Sequence, residues 1–216
     1  CSTLTNITMP VTVKRIGTSA FKNCSSLTEI ALPDNLKDIA DSLFYGCSNL
    51  RSIAIPQNVT SIGTYAFRGC KALTGITISE NVEIIETNAY SGCQSLMYIS
   101  VAEENAVYRS AGNCLIEIES NTLILGCATS VIPDDGSVIS IDDRAFEGCT
   151  GLIFIEIPDS VTTIGTHVFC NCSSLTEVKL PNNSNFTSIS NSMFDGCSSL
   201  LRITIPESVT TIGTYA

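Results

Sequence analysis

The sequence of 216 residues contains one histidine and has no apolar run long enough to cross a membrane. A transmembrane helix needs about 20 mostly apolar residues, so we expect no direct membrane insertion. A single histidine excludes a histidine-based catalytic device repeated along the chain, and neither a Gly-rich phosphate loop nor a nucleophile elbow occurs. We therefore predict a protein that is not an enzyme and has no cofactor.

Basic residues are also scarce, because 11 Lys and Arg stand against 21 Asp and Glu, which gives a net charge of −10. Residues 80–147 hold 12 of the acidic residues and only two basic ones, Arg109 and Arg144, so their local charge is 2 − 12 = −10. A chain without a basic stripe is not expected to bind nucleic acid. The acidic region is interpreted as a solvated surface or as an acidic ligand-binding patch, and the first is favoured.

What the chain does have is an internal repeat, marked by cysteines that recur every 23 residues. A repeat of this length predicts a solenoid, because one unit cannot bury its own apolar residues and must stack on its neighbours. The cysteines on this column are Cys1, Cys24, Cys47, Cys70, Cys93, Cys149 and Cys172, with Cys197 arriving two residues late.

The first half of each repeat predicts a short strand. In the repeat Leu50–Cys70, Leu50 is followed by the alternating apolar residues Ile53 and Ile55 and then by Pro56. Alternation indicates a strand with one buried face, and proline ends it because it lacks the N–H that a sheet ladder needs. Equivalent strands of successive coils are expected to form a parallel sheet.

The second half of each repeat predicts a tight turn. Val59, Ile62 and the pair Ala66-Phe67 follow one another at spacings of three and four, before Gly69-Cys70 closes the unit. Such spacings suit a single helical or 3₁₀ turn on the opposite side of the coil. Each coil is therefore expected to contain one strand and one turn.

The repeated pattern L..I.IP..VT.IG..AF.GC..L resembles the BspA-like leucine-rich repeat family, including the 23-residue repeats of treponemal surface proteins. The resemblance implies an α/β, right-handed solenoid with a parallel sheet on its concave side and short helical or 3₁₀ turns on its convex side. It also implies a secreted or cell-surface location and adhesion to a host or microbial protein or glycan. The alternative function is a structural spacer that presents another domain at the cell surface.

The repeat is interrupted between Glu103 and about Pro133. Ile116–Ile118 and Leu123–Leu125 predict two strands around a Ser120-Asn121 turn. We therefore expect one solenoid domain over residues 1–216, with regular repeats at 1–102 and 134–216 and an irregular hairpin segment at 103–133. Both ends fall within a repeat, which suggests a longer protein.

In this hairpin register Ile118 faces Leu123, Ile116 faces Leu125, and Cys114 faces Cys127. The two opposed cysteines are interpreted either as a disulfide or as two packed thiols.

The cysteines of the 23-residue column are expected to be buried thiols that act as small apolar residues, with disulfides between adjacent coils as the alternative. Cys170 lies off this column, so we expect it to be the thiol that reacts most readily. His167, Cys170 and Cys172 resemble part of a metal site, but no further ligand pair follows, and we predict no metal ion.

Alternation of the strand places the residues five and seven positions after each cysteine on the outward face of the sheet. In the early coils these residues are small, whereas aromatic and charged residues appear around and after the interruption. Exposed aromatic residues beside mixed charge are typical of binding hot spots, although the hairpin segment could instead cover the rings. The candidate partner-binding residues are Tyr98, Phe154, Glu156, Glu177, Lys179 and Arg202.

Overall fold

A computed structural model describes all residues, 1–216, as two compact units, Cys1–Arg109 and Ser110–Ala216. The chain forms fourteen short strands and no helix, so no helix could cross a membrane. The prediction that residues 1–216 form a single domain stays a prediction.

The first unit contains five complete strands, and a sixth, β6, crosses the boundary between the units. The strands are β1 (Asp38–Ile39), β2 (Ser61–Ile62), β3 (Gly75–Ile78), β4 (Ile84–Ile85), β5 (Tyr98–Val101) and β6 (Tyr108–Ala111). The second unit contains β7 (Cys114–Glu117), β8 (Thr122–Leu125), β9 (Ser140–Ile141), β10 (Phe154–Glu156), β11 (Thr163–Ile164), β12 (Glu177–Lys179), β13 (Ser188–Ile189) and β14 (Thr211–Ile212).

The strand expected after each leucine is present in several coils and pairs in parallel with the equivalent strand of the next coil. In the first unit β3 pairs with β5, and in the second unit β10 pairs with β12. Ile76 lies beside Ile99 in the first pair, and both side chains are buried. The parallel sheet is therefore confirmed, whereas its position on a concave side stays a prediction.

Seven coils have a two-residue strand in the second half of the repeat, which the sequence pattern did not predict. Two-residue strands around the second isoleucine of the repeat form a parallel ladder, with the order β1-β2-β4 in the first unit. Ile39 lies beside Ile62, and Ile62 beside Ile85. The second unit has the same ladder in β9 and β11, and again in β13 and β14. The prediction of one strand per coil is wrong.

The expected helical or 3₁₀ turn is also wrong, and with it the α/β class. The N–H of Ser42 donates to the carbonyl oxygen of Thr64 at 2.9 Å, and that of Phe44 to Ala66 at 2.8 Å, so alternate donors bond to the next coil. Ser42 has a positive φ of 54°, which interrupts any right-handed helical run. The segment is a series of tight turns, because one N–H donates within its own coil and the following one donates to the next coil.

An aromatic column fills the core of each unit. In the first unit the ring of Phe67 stacks on that of Phe44 at 5.4 Å between centroids and on that of Tyr90 at 5.0 Å. In the second unit Phe169 stacks on Phe146 at 5.3 Å. These rings are nearly or completely buried, as stacked repeats require.

The column cysteines lie beside the rings as thiols. The Sγ–H of Cys70 donates to the carbonyl oxygen of Phe44 at 3.2 Å, and that of Cys172 to Phe146 at 3.1 Å. Both thiols are completely buried and free. The thiol therefore also bonds one coil to its neighbour.

The hairpin of the interruption forms from β7 and β8, but its register differs from the expected one. Ile116 pairs with Leu123 rather than with Leu125, and a bulge separates it from Leu115, which pairs with Leu125. The connection between the strands is four residues, 118–121, rather than two, and this longer turn shifts the pairing. Ile118 therefore lies in the turn and is exposed, not paired.

A buried asparagine fixes the chain at the start of the interruption. The Nδ2 of Asn105 donates to the carbonyl oxygens of Ser79 at 2.7 Å and Val82 at 2.9 Å, while its Oδ1 accepts from the N–H groups of Val107 and Tyr108. One carboxamide thus bonds to four backbone groups. These hydrogen bonds hold the chain where the turn of a regular repeat is missing.

Candidate partner-binding face

The outward face of the sheet in the second unit is formed by β10 and β12. Phe154 and Glu156 are exposed on either side of the buried Ile155. Glu177 and Lys179 lie beside them in parallel register and are also exposed. Four of the six candidate residues therefore lie together on one surface.

Phe154 is 49% exposed, so its ring is neither buried as core nor covered by the hairpin segment. The same holds for Tyr98 in the first unit, which is 50% exposed. The interpretation that these two rings are covered is wrong. Exposed aromatic rings beside charged groups are typical of binding hot spots.

Two opposite charges are paired on this face. The Nζ of Lys179 donates to Glu156 Oε1, and this hydrogen bond is the main cause that raises the pKa of Lys179 above its usual value. Both side chains are more than half exposed, so solvent screens the attraction. The pair orients charge on the surface and contributes little to folding.

A groove of about 810 Å³ opens beside these strands. Phe154, Glu177 and Lys179 line it from the sheet, and Ile205 adds a partly exposed apolar group. Arg202 is exposed but does not line the groove. The groove therefore combines an aromatic ring, apolar surface and both signs of charge.

Sequence reasoning missed the other wall of this groove. Asn182 and Asn183 follow the strand-ending proline of one coil, and Glu207 and Ser208 follow that of the next. The signal was available in the sequence, because turns after a shared strand edge must lie side by side.

In the first unit, Tyr98 has an unusual neighbour. It pairs with Gly75 in the parallel register, and the end of its ring occupies the space where a side chain at position 75 would lie. A Cβ on Gly75 would lie 1.9 Å from Tyr98 Cζ. The absence of a side chain at Gly75 lets the tyrosine ring lie over the sheet.

A second groove, of about 690 Å³, lies in the first unit. Thr77 and Ser100 line it, and their hydroxyl oxygens are 3.1 Å apart. Gln57 donates from Nε2 to both carboxylate oxygens of Glu80 at 2.7 Å. The first unit thus places hydroxyl and amide groups near an exposed tyrosine.

The cysteines offer no activated nucleophile in this structure. Burial raises the pKa of the Cys93 thiol from 9.0 to about 12, and burial likewise raises that of Cys170. Cys170 is 6% exposed, so the expectation that it reacts most readily is wrong; Cys1 is the exposed thiol. Burial keeps the thiols protonated and inaccessible.

Cys114 and Cys127 are both completely buried. Their Sγ atoms contact different groups, the carbonyl oxygen of Gly112 at 3.6 Å for Cys114 and Thr129 Oγ1 at 3.4 Å for Cys127. The disulfide between them stays a prediction.

Six copies of the BspA type leucine rich repeat region match the sequence over residues 1–111 and 117–216. The chain belongs to the BspA-type leucine-rich repeat family. A leucine rich cell surface protein from Faecalibacterium prausnitzii A2-165 has the same fold, with 35% sequence identity and a TM-score of 0.86. This similarity confirms the right-handed leucine-rich repeat solenoid.

Two further solved structures resemble this leucine-rich repeat chain. The pneumococcal vaccine antigen PcpA is 24% identical over 91% of this chain and 49% of its own, with a TM-score of 0.80. A leucine-rich repeat protein from Bacteroides ovatus is 29% identical over 100% of this chain and 64% of its own, with a TM-score of 0.56. Comparison with curated protein sequences found no significant match.

The similarity to the Faecalibacterium protein covers 98% of this chain but only 56% of that protein. It therefore spans about half the length of the Faecalibacterium protein and of PcpA.

Proposed function

We propose that this chain is a non-enzymatic recognition module of a secreted or cell-surface protein, and that it binds a host or microbial protein or glycan. The observation that supports it is the half-exposed ring of Phe154, which stands on a rigid sheet beside the Glu156–Lys179 pair and a groove of about 810 Å³. An exposed ring beside groups that form hydrogen bonds is the usual composition of a binding hot spot.

The location at a cell surface is supported by two of the similar structures, which are described as a leucine rich cell surface protein and as a pneumococcal vaccine antigen. Neither description names what the protein binds. The identity of the partner therefore comes only from the chemistry of the exposed face.

The proposed contact surface in the second unit consists of the ring of Phe154, the ion pair of Glu156 with Lys179, and Glu177. Ile153 and Leu201, each one residue before an outward position, are 62% and 88% exposed. Arg202 adds a cation at its edge. In the first unit Tyr98 is the proposed contact residue. Mixed charge around apolar groups suits a polar partner surface with a small apolar centre.

The alternative function is a structural spacer. The hydrogen bonds between successive coils of each unit also suit this function. Thiols, backbone groups and asparagine side chains all bond coil to coil and make each unit stiff. A spacer has no need for exposed aromatic rings, and for this reason recognition is the preferred proposal.

The test measures binding of the whole chain to immobilised matrix proteins, bacterial and host cells, and glycans. Phe154→Ala and Tyr98→Ala are each expected to weaken binding by at least ~1 kcal/mol, or about fivefold, while thermal unfolding stays unchanged. Thr8→Ala, a small outward residue, is the control and should bind as the parent does.

A chain that binds nothing in this set would instead support the spacer. If both aromatic variants bind normally, the outward strand face is not the binding surface, and the outer face of the hairpin becomes the next candidate.

A further inference from the structure

We infer that the outward face of the first unit is a subsite for a neutral sugar, with the ring of Tyr98 as the stacking platform and the groove floored by Thr77 and Ser100 as the hydrogen-bonding part. This inference rests on the proposed recognition function and names the ligand class for one of its two faces. Four features of β3, β5 and the coil before them support it.

The first feature is the way in which Tyr98 is held. Its ring lies across Gly75, the only glycine among the outward residues five positions after a cysteine, and half of the side chain remains exposed. A tyrosine that served only to cover the glycine backbone could do so with one ring face. The exposed part of the ring is free to contact a ligand.

The second feature is the distance from the ring to the hydroxyl groups. Ser100 follows Tyr98 by two residues on the same face of β5, so their Cα atoms lie about 6.7 Å apart along the strand. Thr77 lies beside Ser100, and their hydroxyls form a 3.1 Å hydrogen bond. A pyranose stacked on the ring would place its edge hydroxyls toward this pair.

The third feature is the charge of the groove. Glu80 is its only ionisable lining residue, and both of its carboxylate oxygens already accept hydrogen bonds from Gln57. An anionic polymer would be repelled there, because the neutral amide of Gln57 does not cancel the negative charge of Glu80. A neutral ligand with many hydroxyl groups fits such a surface better, because the amide and carboxylate can both bond to hydroxyls.

The fourth feature is an unused hydroxyl. Ser79 lines the groove, is 8% exposed, and its Oγ has no hydrogen-bond partner. A buried hydroxyl without a partner is uncommon and costs free energy, and because this Oγ is inaccessible, a ligand could bond to it only after the side chain turns toward the groove. The groove volume of about 690 Å³ is within the usual range for small-ligand sites.

Aromatic rings and sugars recognise each other in a defined way. The face of a tyrosine ring carries partial negative charge, and one face of a pyranose presents C–H groups with partial positive charge. Hydroxyls at the rim of the sugar then need donors and acceptors at the side of the ring. The ring of Tyr98 supplies the first part, and the hydroxyls of Thr77 and Ser100, two residues further along the paired strands, supply the second.

The test titrates the whole chain with lactose, cellobiose, maltose and mannobiose and follows binding by saturation-transfer NMR and calorimetry. We expect at least one of the four to bind with a Kd in the millimolar range, with saturation transferred mainly to one face of a pyranose. Failure of all four to bind at ~10 mM would overturn the inference.

Variants then locate the site. Tyr98→Leu keeps apolar bulk over Gly75 without a π face and should raise Kd at least about fivefold, whereas Tyr98→Phe should stay within about twofold. Gly75→Ala should also raise Kd, because the added methyl displaces the ring. Tyr45→Ala is the matched control in the same unit. Equal affinity in the parent and in Tyr98→Leu would overturn the proposal.

A last arm separates sugar from protein ligands. Binding of the chain to cells or matrix proteins that depends on Tyr98 should fall after enzymatic removal of glycans. Tyr98-dependent binding that survives deglycosylation would mean a protein ligand and would overturn this inference while leaving the proposed recognition function intact. If the chain binds a sugar but no cell or matrix protein, the sugar subsite stands and the proposed recognition function is overturned.

Discussion

Asp41 occupies the space that a side chain at Gly63 would need. The Oδ1 of Asp41 accepts the N–H of Thr64 at 2.9 Å, and a Cβ on Gly63 would lie 2.4 Å from that oxygen and 2.7 Å from the Asp41 backbone nitrogen. The same relationship recurs in the second unit between Asp143 and Gly165. Asn191 and Gly213 show it as well, so an Asp or Asn that accepts this N–H requires glycine in the next coil.

The first prediction concerns this pair. Gly63→Ala should lower the free energy of unfolding by about 1–3 kcal/mol, because the methyl group meets both a side chain and a backbone atom. Gly17 is the matched control at the same repeat position, since nothing lies within 4 Å of a Cβ built there. Urea unfolding measures both. If both substitutions lower the free energy of unfolding equally, the repeat glycine is explained by its backbone conformation and not by its contact with the previous coil.

The second prediction concerns the aromatic column. Phe67→Ala should cost about 3–5 kcal/mol, because it leaves a cavity between the rings of Phe44 and Tyr90. Tyr215→Ala is the control, since that ring is 80% exposed. Chemical denaturation gives both values. A cost below about 1 kcal/mol for Phe67→Ala would mean that the column does not hold the first unit together.

The third prediction concerns the asparagine that starts the interruption. Asn105→Ala should cost about 2–4 kcal/mol, because four backbone groups, three of them in buried hydrogen bonds, lose their bond to the carboxamide. Asn81→Ala removes one exposed hydrogen bond to Gln57 and should cost no more than about 1.5 kcal/mol. Thermal unfolding compares the two. Similar melting temperatures for both variants would contradict the special role of Asn105.

The fourth prediction concerns the buried thiols and pH. Burial raises the pKa of Cys93 from 9.0 to about 12, so between these values the folded chain holds a proton that the unfolded chain has lost. The contribution of Cys93 is fully present below pH 9 and decreases as pH rises, by about 1.4 kcal/mol per pH unit.

Unfolding in urea at about pH 8 and about pH 10 measures this loss, and Cys93→Ala should reduce the difference between the two conditions. Alkylation of the native protein, followed by mass spectrometry, should modify Cys1 before Cys93 and Cys170, because only Cys1 is exposed among the three. Rapid alkylation of Cys93 in the folded protein would contradict its burial.

Much of the fold followed from the sequence because each apolar column repeats at a fixed interval. The strand that contains Ile76, the ring of Phe67 and the thiol of Cys70 were all expected at their observed positions. A single 23-residue unit cannot bury these groups. Stacking on neighbouring coils is therefore the only way to remove them from water.

The candidate face was predicted only in part. Alternation alone placed Phe154 and Glu156 on the outward side, and the structure agrees. The walls formed by Asn183 and Glu207 were missed because they belong to turns, and a turn's neighbours are set by how two coils lie together. The shifted pairing of Ile116 was missed for a related reason, since the length of the turn after it decided the register.

The sequence by itself determined which side chains belong to the inner face, because a period of 23 and an alternation of two leave one choice. Only the tertiary structure decided what the backbone does between them. The N–H of Phe44 could close a helical turn within its own coil or donate to Ala66 in the next, and both choices leave the same side chains inside. The neighbouring coil offers a carbonyl oxygen at 2.8 Å, so the donor bonds across the stack and the helix does not form.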